Sequence, residues 1–202
     1  MKRMIIAALA LAGATAVAGC GGDSMEGMDH SSSTSASPSS PASSGAQSAS
    51  HNIQDVMFAQ QMIPHHRQAV DMAKLASTRA KSPEVKKLAT QIEGAQDPEI
   101  TTMTGWLKEW GAAMPEESMP GMDHGMDMPG MMTEADMTSL TKASGADFDR
   151  MFLTMMIKHH EGAITMAKDE QTKGSSTPAK ALAGTIITAQ TAEIATMRGL
   201  LK

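Results

Sequence analysis

Adjacent histidines occur twice in the sequence, inside the matching segments "MIPHH" (62–66) and "MIKHH" (156–160). In each segment a methionine precedes the second histidine by four residues. On a helix that spacing places the thioether and the imidazole on one face, about 6 Å apart along the axis, so one ion can contact both. Imidazole nitrogen and thioether sulfur are ligands that copper accepts. The candidate metal ligands of the two segments are Met62, His65, His66, Met156, His159 and His160.

Two glutamates are candidates for the same metal site. If a helical hairpin turns near Ser82, His65 lies 17 residues before the turn and Glu99 lies 17 residues after it. Equal rise per residue then places both side chains at the same height. Glu193 stands in the same relation to the second histidine pair. Each carboxylate is either a metal ligand or a partner that orients an imidazole, and the spacing leaves both interpretations open.

A third group of candidate ligands lies between the two histidine motifs, where residues 119–132 contain six methionines among prolines and glycines. Prolines and glycines at this density break helices, so the sequence offers no amphipathic face on which these methionines would be buried. A thioether has no proton to lose and therefore binds Cu(I) or Ag(I) over a wide pH range. The alternative is a flexible linker whose methionines trap oxidants. The candidates are Met119, Met122, His124 and Met126.

The histidine motifs belong to an internal duplication with an offset of 94 residues. Without a gap, 25 of the 53 positions in 55–107 match those in 149–201, which indicates a repeated structural unit. Two such units packed about a pseudo-twofold axis would bring both histidine pairs and both glutamates to one layer, with the composition of a metal site. Because only neutral imidazole binds a metal, the affinity of this layer is expected to fall below about pH 6.

Each copy of the repeat is predicted to be a pair of helices. Apolar residues recur at helical spacing through 58–73 and again through 88–107. Ser82 before a proline is typical of a helix start, and Asp55 and Asp149 are predicted N-caps. Strand patterns are nearly absent, and aromatic residues make up only 2% of the chain. The predicted fold is all-α, an antiparallel four-helix bundle made of two αα-hairpins with helices of about 25 residues.

The N-terminus is predicted to be a lipoprotein signal. Residues 1–19 have a basic start and an apolar run too short to span a membrane. Cys20 ends a segment that resembles a bacterial lipobox and is the expected site of lipidation, with an uncleaved anchor as the alternative. Residues 20–52 form a tether rich in Ser, Ala and Pro. The folded domain is expected at 53–202, with hairpins at 53–111 and 147–202 and a methionine-rich loop at 112–146.

Charge and cysteine content narrow the possible functions. The chain has 17 Lys and Arg against 22 Asp and Glu, and loss of Lys2 and Arg3 with the signal peptide leaves 15 against 22. Such an acidic chain is unsuited to nucleic acid, whose phosphates need a basic surface. Cys20 is the only cysteine, so the folded domain has neither a disulfide nor a thiolate metal ligand.

The segments "MIPHHRQAVDMAK" and "MIKHHEGAITMAK" resemble the signature of a secreted bacterial family, the domain of unknown function DUF305. The resemblance covers residues 53–110 and 147–202. It implies a ferritin-like four-helix bundle associated with copper binding or resistance in the cell envelope, and it carries over to the six Met and His positions of the two motifs. Ferritin-like di-iron proteins are similar more distantly, but they use Glu-x-x-His where this chain has His-His, and they need more carboxylates.

Three functions follow as hypotheses. The first is a membrane-tethered extracytoplasmic protein that sequesters copper or passes it to other copper-handling envelope proteins, with Cu(I) favoured and Ag(I) as its surrogate. In this interpretation the methionine-rich loop captures the ion and the bundle layer holds it. The second is a metal-dependent oxidoreductase with two metals in the bundle, and the third is an envelope interaction module in which Met and His only pack. The first hypothesis makes the protein a carrier rather than an enzyme.

Overall fold

The computed structural model describes residues 50–115 and 128–202. Within these ranges the secondary structure is helical, and none of the helices is both long enough and apolar enough to cross a membrane. The bundle has four long helices, as predicted, and one short helix that was not predicted. The helices are α1 (Ile53–Arg79), α2 (Pro83–Glu109), α3 (Glu134–Lys142), α4 (Gly145–Lys173) and α5 (Thr177–Leu200).

The long helices form two antiparallel hairpins, α1 with α2 and α4 with α5, and α1 packs against α4. The start of α1 lies at the end of α4, where the Asn52 side-chain amide donates to the carbonyl oxygen of Lys173 at 2.9 Å. The end of α1 lies at the start of α4, where Ala80 and Gly145 form an isolated bridge. The two repeats are therefore related by a pseudo-twofold axis that crosses the bundle near its middle.

Local signals fix where the helices begin. The Ser82 hydroxyl accepts from the backbone N–H groups of Glu84 and Val85, which confirms Ser82 as the N-cap of α2. Ser176 caps α5 in the second repeat, and Asn52 caps α1 through a capping box. Each cap provides hydrogen-bond partners for backbone donors that the first turn of a helix leaves free.

The prediction that Asp55 and Asp149 are N-caps was wrong. Asn52 and Ser144 occupy those positions, and each aspartate instead accepts hydrogen bonds from the interhelical turn of the other repeat. Asp55 binds the N–H of Ser176 at 2.9 Å. Asp149 binds the N–H of Ser82 at 2.9 Å, in the corresponding position. The N-cap pattern is a local rule, whereas these partners are distant in sequence and become adjacent only when the two hairpins pack.

The hydrophobic core is divided into two clusters on either side of the histidine motifs. One cluster lies toward the start of α4 and includes Met72, Ile92, Phe152 and Met156. The other lies toward the start of α1 and includes Phe58, Met62, Met103 and Ile186. The histidines thus lie between two apolar regions, away from either end of the bundle.

The interpretation of 112–146 as an unburied loop was wrong for its second half. Residues 134–142 form α3, whose Leu140 is fully buried in the core cluster near the start of α4. Met132 is only 6% exposed and belongs to the same cluster. A helix of 9 residues with one buried leucine gives too little periodicity to stand out in a sequence rich in Pro and Gly. Burial therefore does explain some of the methionines in residues 112–146, the segment that we call the connector.

A buried acid pair lies near the α4–α5 turn. The side chains of Asp55 and Glu170 are both fully buried. Burial and the nearby carboxylate of Asp55 raise the pKa of Glu170 to about 8, against an opposing effect of Lys180. Burial alone would raise the pKa of Asp55, but Glu170 and hydrogen bonds from backbone N–H groups keep it below its usual value. Glu170 is therefore the protonated partner near neutral pH.

This pair predicts that the free energy of unfolding falls as the pH rises. The folded state holds the Glu170 proton up to about pH 8, whereas the unfolded chain releases it near the model value of 4.5. The stabilisation is thus fully present below 4.5 and is lost progressively as the pH approaches 8. Glu170→Gln, which keeps the size of the side chain and cannot ionise, should remove this contribution. Urea unfolding of both proteins at roughly pH 5 and roughly pH 9 measures the difference. Parallel pH profiles would contradict the prediction.

Candidate metal centre

Four fully buried histidines form one layer across the middle of the bundle. His65 and His66 come from α1, and His159 and His160 come from α4. The rings of His65 and His159 lie nearest the pseudo-twofold axis, with centroids 3.7 Å apart and planes tilted by 39°. The two repeats therefore contribute equally to a cluster of imidazoles that neither could form alone.

The outer histidine of each pair is bound by a glutamate of the neighbouring helix. The Nε2 atom of His66 lies 2.7 Å from a carboxylate oxygen of Glu99, and that of His160 lies 2.6 Å from Glu193. The glutamate side chains are partly exposed, at 16% and 19%, while the histidines are fully buried. An ionised carboxylate only accepts, so Nε2 carries a proton, and in the neutral ring the lone pair is then on Nδ1.

The inner histidine of the first repeat is bound by the connector. The Nε2 atom of His65 lies 3.0 Å from the carbonyl oxygen of Pro129. Pro129 begins a segment, residues 129–132, that we call the strap. The Gln68 side chain holds the strap to α1, and the strap backbone packs directly against Gly162 of α4. The strap therefore covers the histidine layer at its edge.

Five ring nitrogens of this layer have no hydrogen-bond partner among the described residues, although all are buried. They are the Nδ1 atoms of His65, His66, His159 and His160, together with Nε2 of His159. A buried polar atom without a partner costs about 1–3 kcal/mol of stability, so native proteins contain few of them. Their concentration in one layer indicates a site for a ligand that accepts nitrogen lone pairs.

Burial keeps the two inner histidines uncharged. Burial, with a smaller effect of the neighbouring His66, lowers the pKa of His65 to about 3. Burial and then the charge of His65 lower the pKa of His159 well below its usual value. These two rings are therefore neutral, and able to bind a metal, well below the pH of about 6 that an ordinary imidazole pKa predicts for the loss of metal binding.

The thioethers of the two motifs are buried next to the layer. Met62 and Met156 are both fully buried, one helical turn before His66 and His160, and each packs in one of the two core clusters. Among the described residues, no group of three or more His, Cys, Asp or Glu side chains has the arrangement of a ready-made metal site. Thioether sulfur and imidazole nitrogen are both ligands that a soft monovalent ion accepts.

Other predicted functional residues lie outside the described residues. They are the signal peptide 1–19, Cys20, nearly all of the tether 20–52, and the connector ligands Met119, Met122, His124 and Met126. The structure therefore brings together the eight predicted bundle residues in or beside one layer. Of the connector, it describes only the flanking parts.

Sequence reasoning missed several residues near the layer. Gln96 and Gln190 are buried, and their side chains retain oxygen atoms without a hydrogen-bond partner. Glutamine occurs at the same position in both repeats, on an apolar helix face. This repetition could have indicated a functional role for the side chain. Gln68 and Gly162 also occupy equivalent positions, but they differ in type, so the repeat alignment gave no indication of their shared contact with the strap.

Comparison with solved structures gives two informative similarities. A DUF305 protein of Streptomyces coelicolor is 34% identical, with a TM-score of 0.66, and the match covers 73% of this chain and 91% of that one. CopM in its Cu(II)-bound form is 37% identical, with a TM-score of 0.63, and the match covers 73% and 95% of the two chains. CopM structures with bound Cu(I) and with bound silver are also similar.

Comparison with curated and family sequences agrees with the structural similarity. "Uncharacterized protein L153" of Acanthamoeba polyphaga mimivirus is 42% identical over 57 residues, which is 28% of this chain. The match spans only 38% of the length of that relative. The model of the family described as "Domain of unknown function (DUF305)" matches residues 55–201, which include both histidine motifs and all of the four long helices except the first two residues of α1. The chain therefore belongs to the DUF305 family.

Proposed function

We propose that the protein binds copper outside the cytoplasmic membrane, and sequesters it or passes it on. The observation that carries the proposal is the set of five buried ring nitrogens without hydrogen-bond partners in one layer. CopM, which has the same fold, has been solved with Cu(I), Cu(II) and silver bound, and this similarity supports copper as the ligand here.

In this proposal the inner histidines are the central ligands. His65 and His159 lie on either side of the pseudo-twofold axis and present free Nδ1 atoms. Met62 and Met156 supply soft sulfur from the adjacent turns, which favours Cu(I) over Zn(II) or iron. The outer histidines supply further Nδ1 atoms without hydrogen-bond partners beside them.

Glu99 and Glu193 act through the outer histidines in this proposal. Each carboxylate lies within hydrogen-bond distance of an Nε2 atom and leaves Nδ1 free. In metal-bound histidines, a carboxylate on the other ring nitrogen fixes the tautomer in this way. They orient the rings rather than bind the ion. With both carboxylates engaged in this way, neither glutamate of the described histidine layer is free to bridge two metals.

The connector and the N-terminus extend the proposal beyond the bundle. Met119, Met122, His124 and Met126 would capture Cu(I) and pass it by ligand exchange to the buried layer, which lies next to the strap that follows them in the chain. Lipidation of Cys20 would hold the protein at the membrane surface through the tether 20–52. A solved relative in Streptomyces coelicolor, described as a candidate secreted protein, is consistent with this location.

An anaerobic Cu(I) competition titration against a chromophoric chelator tests the proposal on the mature chain. A bundle variant carries His65→Leu and His159→Leu, and a connector variant carries Met119→Leu, Met122→Leu, His124→Gln and Met126→Leu. We expect the bundle variant to lose the tightest site, with an affinity loss of more than about 100-fold, since even indirect partners of a metal contribute 10–100-fold. The connector variant should keep that site and load more slowly.

His51→Gln provides a matched control, because His51 stacks on Trp110 outside the histidine layer, with ring centroids 4.8 Å apart. Point substitutions are preferable to deletion of the whole segment 112–146, because Met132 and Leu140 belong to the core. Circular dichroism establishes that each variant is folded. Unchanged tight binding in a folded bundle variant would exclude the histidine layer from the function.

A further inference from the structure

The strap, residues 129–132, is fixed by two equivalent positions of the repeat. Gln68 and Gly162 are separated by 94 residues and so occupy the same position in α1 and α4. The Gln68 amide donates to the carbonyl oxygen of Met132 at 2.9 Å, and its oxygen accepts from the Met132 N–H at 2.8 Å. These two hydrogen bonds hold one end of the strap to α1.

The other end of the strap is held by a close approach of two backbones. A Cβ atom at Gly162 would overlap the carbonyl group of Pro129. Gly130 has a φ of 82°, and a Cβ atom there would lie 2.6 Å from the carbonyl oxygen of Lys158. Both glycines are therefore required for the strap to reach α4, since any side chain would push the backbones apart.

This position places the Pro129 carbonyl oxygen against His65. A carbonyl oxygen only accepts, so the 3.0 Å contact requires the His65 proton on Nε2 and leaves Nδ1 with its lone pair. Glu99 and Glu193 impose the same tautomer on the outer histidines through their carboxylates. The strap thus gives His65 the partner that no acidic residue supplies.

We propose that Gln68 and Gly162 are positioning residues for the copper site, which hold the Pro129 carbonyl oxygen on His65 and so keep its Nδ1 atom free for the metal. Neither residue touches the ion. The inference rests on the proposed function, and it assigns to the connector a second role besides capture of the ion. The tautomer of His159, whose Nε2 has no such partner among the described residues, is not fixed by a hydrogen bond.

Isotope-edited NMR of the imidazole nitrogens in the metal-free mature chain tests the first step. Wild type should show His65 protonated on Nε2. Gly162→Ala, which displaces the strap, and Gln68→Met, which removes both hydrogen bonds at similar volume, should each give His65 a mixture of tautomers. Gly105→Ala is the matched control, because it adds a methyl group to a helical glycine with open space around it. If His65 keeps a single tautomer in both folded variants, the inference is wrong.

A silver titration of the same proteins, followed by the same signals, tests the link to metal binding. We expect Gly162→Ala and Gln68→Met to bind Ag(I) about 10-fold more weakly than wild type, as is typical when a partner of a metal-bound histidine is lost. If variants with altered tautomers bind Ag(I) as tightly as wild type, the positioning role is contradicted and the proposed function is not. Histidine signals of the wild type that do not respond to Ag(I) would instead contradict the proposed function.

Discussion

His159→Leu should stabilise the metal-free protein and at the same time abolish its stabilisation by silver. Both ring nitrogens of His159 are buried without a hydrogen-bond partner. Leucine has a similar volume and no polar atom, so the substitution removes a penalty of about 1–3 kcal/mol, less up to about 1.5 kcal/mol for imperfect packing. A net gain of about 1 kcal/mol corresponds to a Tm increase of about 3 °C in a domain of this size.

In the presence of silver, His159→Leu should instead be less stable than wild type. At a free Ag(I) concentration of about 100 times Kd, wild type should gain about 2.7 kcal/mol of stability, whereas the variant should gain almost none. Thermal unfolding with and without Ag(I) measures both effects in one experiment. His51→Leu serves as the control, because its imidazole is outside the layer and should change neither value. A metal-free Tm that falls by several degrees would show that His159 is an ordinary, well-satisfied core residue.

Asp55→Ala should be the most destabilising substitution outside the two hydrophobic clusters. The Asp55 carboxylate accepts from the backbone N–H groups of Asn52, Ser175 and Ser176 and is fully buried. Its removal leaves those donors without a partner and also removes the partner of Glu170. We expect a loss of about 3 kcal/mol in the free energy of unfolding.

Asp149→Ala is the internal comparison, since Asp149 makes the equivalent contacts with Lys81 and Ser82 in the other turn. That turn is more exposed, so water can replace the carboxylate, and the loss should be only about 1 kcal/mol. Urea unfolding of the two alanine variants and of Asp55→Asn, which keeps one acceptor oxygen, ranks the contributions. Equal losses in the two alanine variants would show that burial of the α4–α5 turn, which Asp55 binds, does not increase the cost of losing the carboxylate.

Much of the histidine layer could be predicted from the sequence because helical rise is constant. The turn at Ser82 and the offset of 94 residues were sufficient to place His65, Glu99 and their counterparts at one height. Helix geometry determines that height, but it does not determine the rotamer of a side chain. For that reason the sequence left open whether Glu99 binds the ion or a ring, whereas the structure places its carboxylate on His66.

The contacts of the connector could not be predicted for a different reason. The strap reaches the histidine layer through a proline carbonyl group and through glycines, and neither a backbone carbonyl nor a missing side chain leaves a pattern in the sequence. Similarly, the partners of Asp55 lie 120 and 121 residues away, beyond any local capping rule. Contacts of this kind depend on how the hairpins pack together.

The central pair of imidazoles lies across the axis that relates the two repeats. A separate hairpin would carry half of these ligands, so two hairpins would have to associate before the metal could bind. Metal occupancy would then depend on the protein concentration. Fusion in one chain replaces that dependence with a fixed effective concentration. It also allows the two repeats to differ, so that a glutamine and a glycine at matching positions contact opposite ends of the same strap.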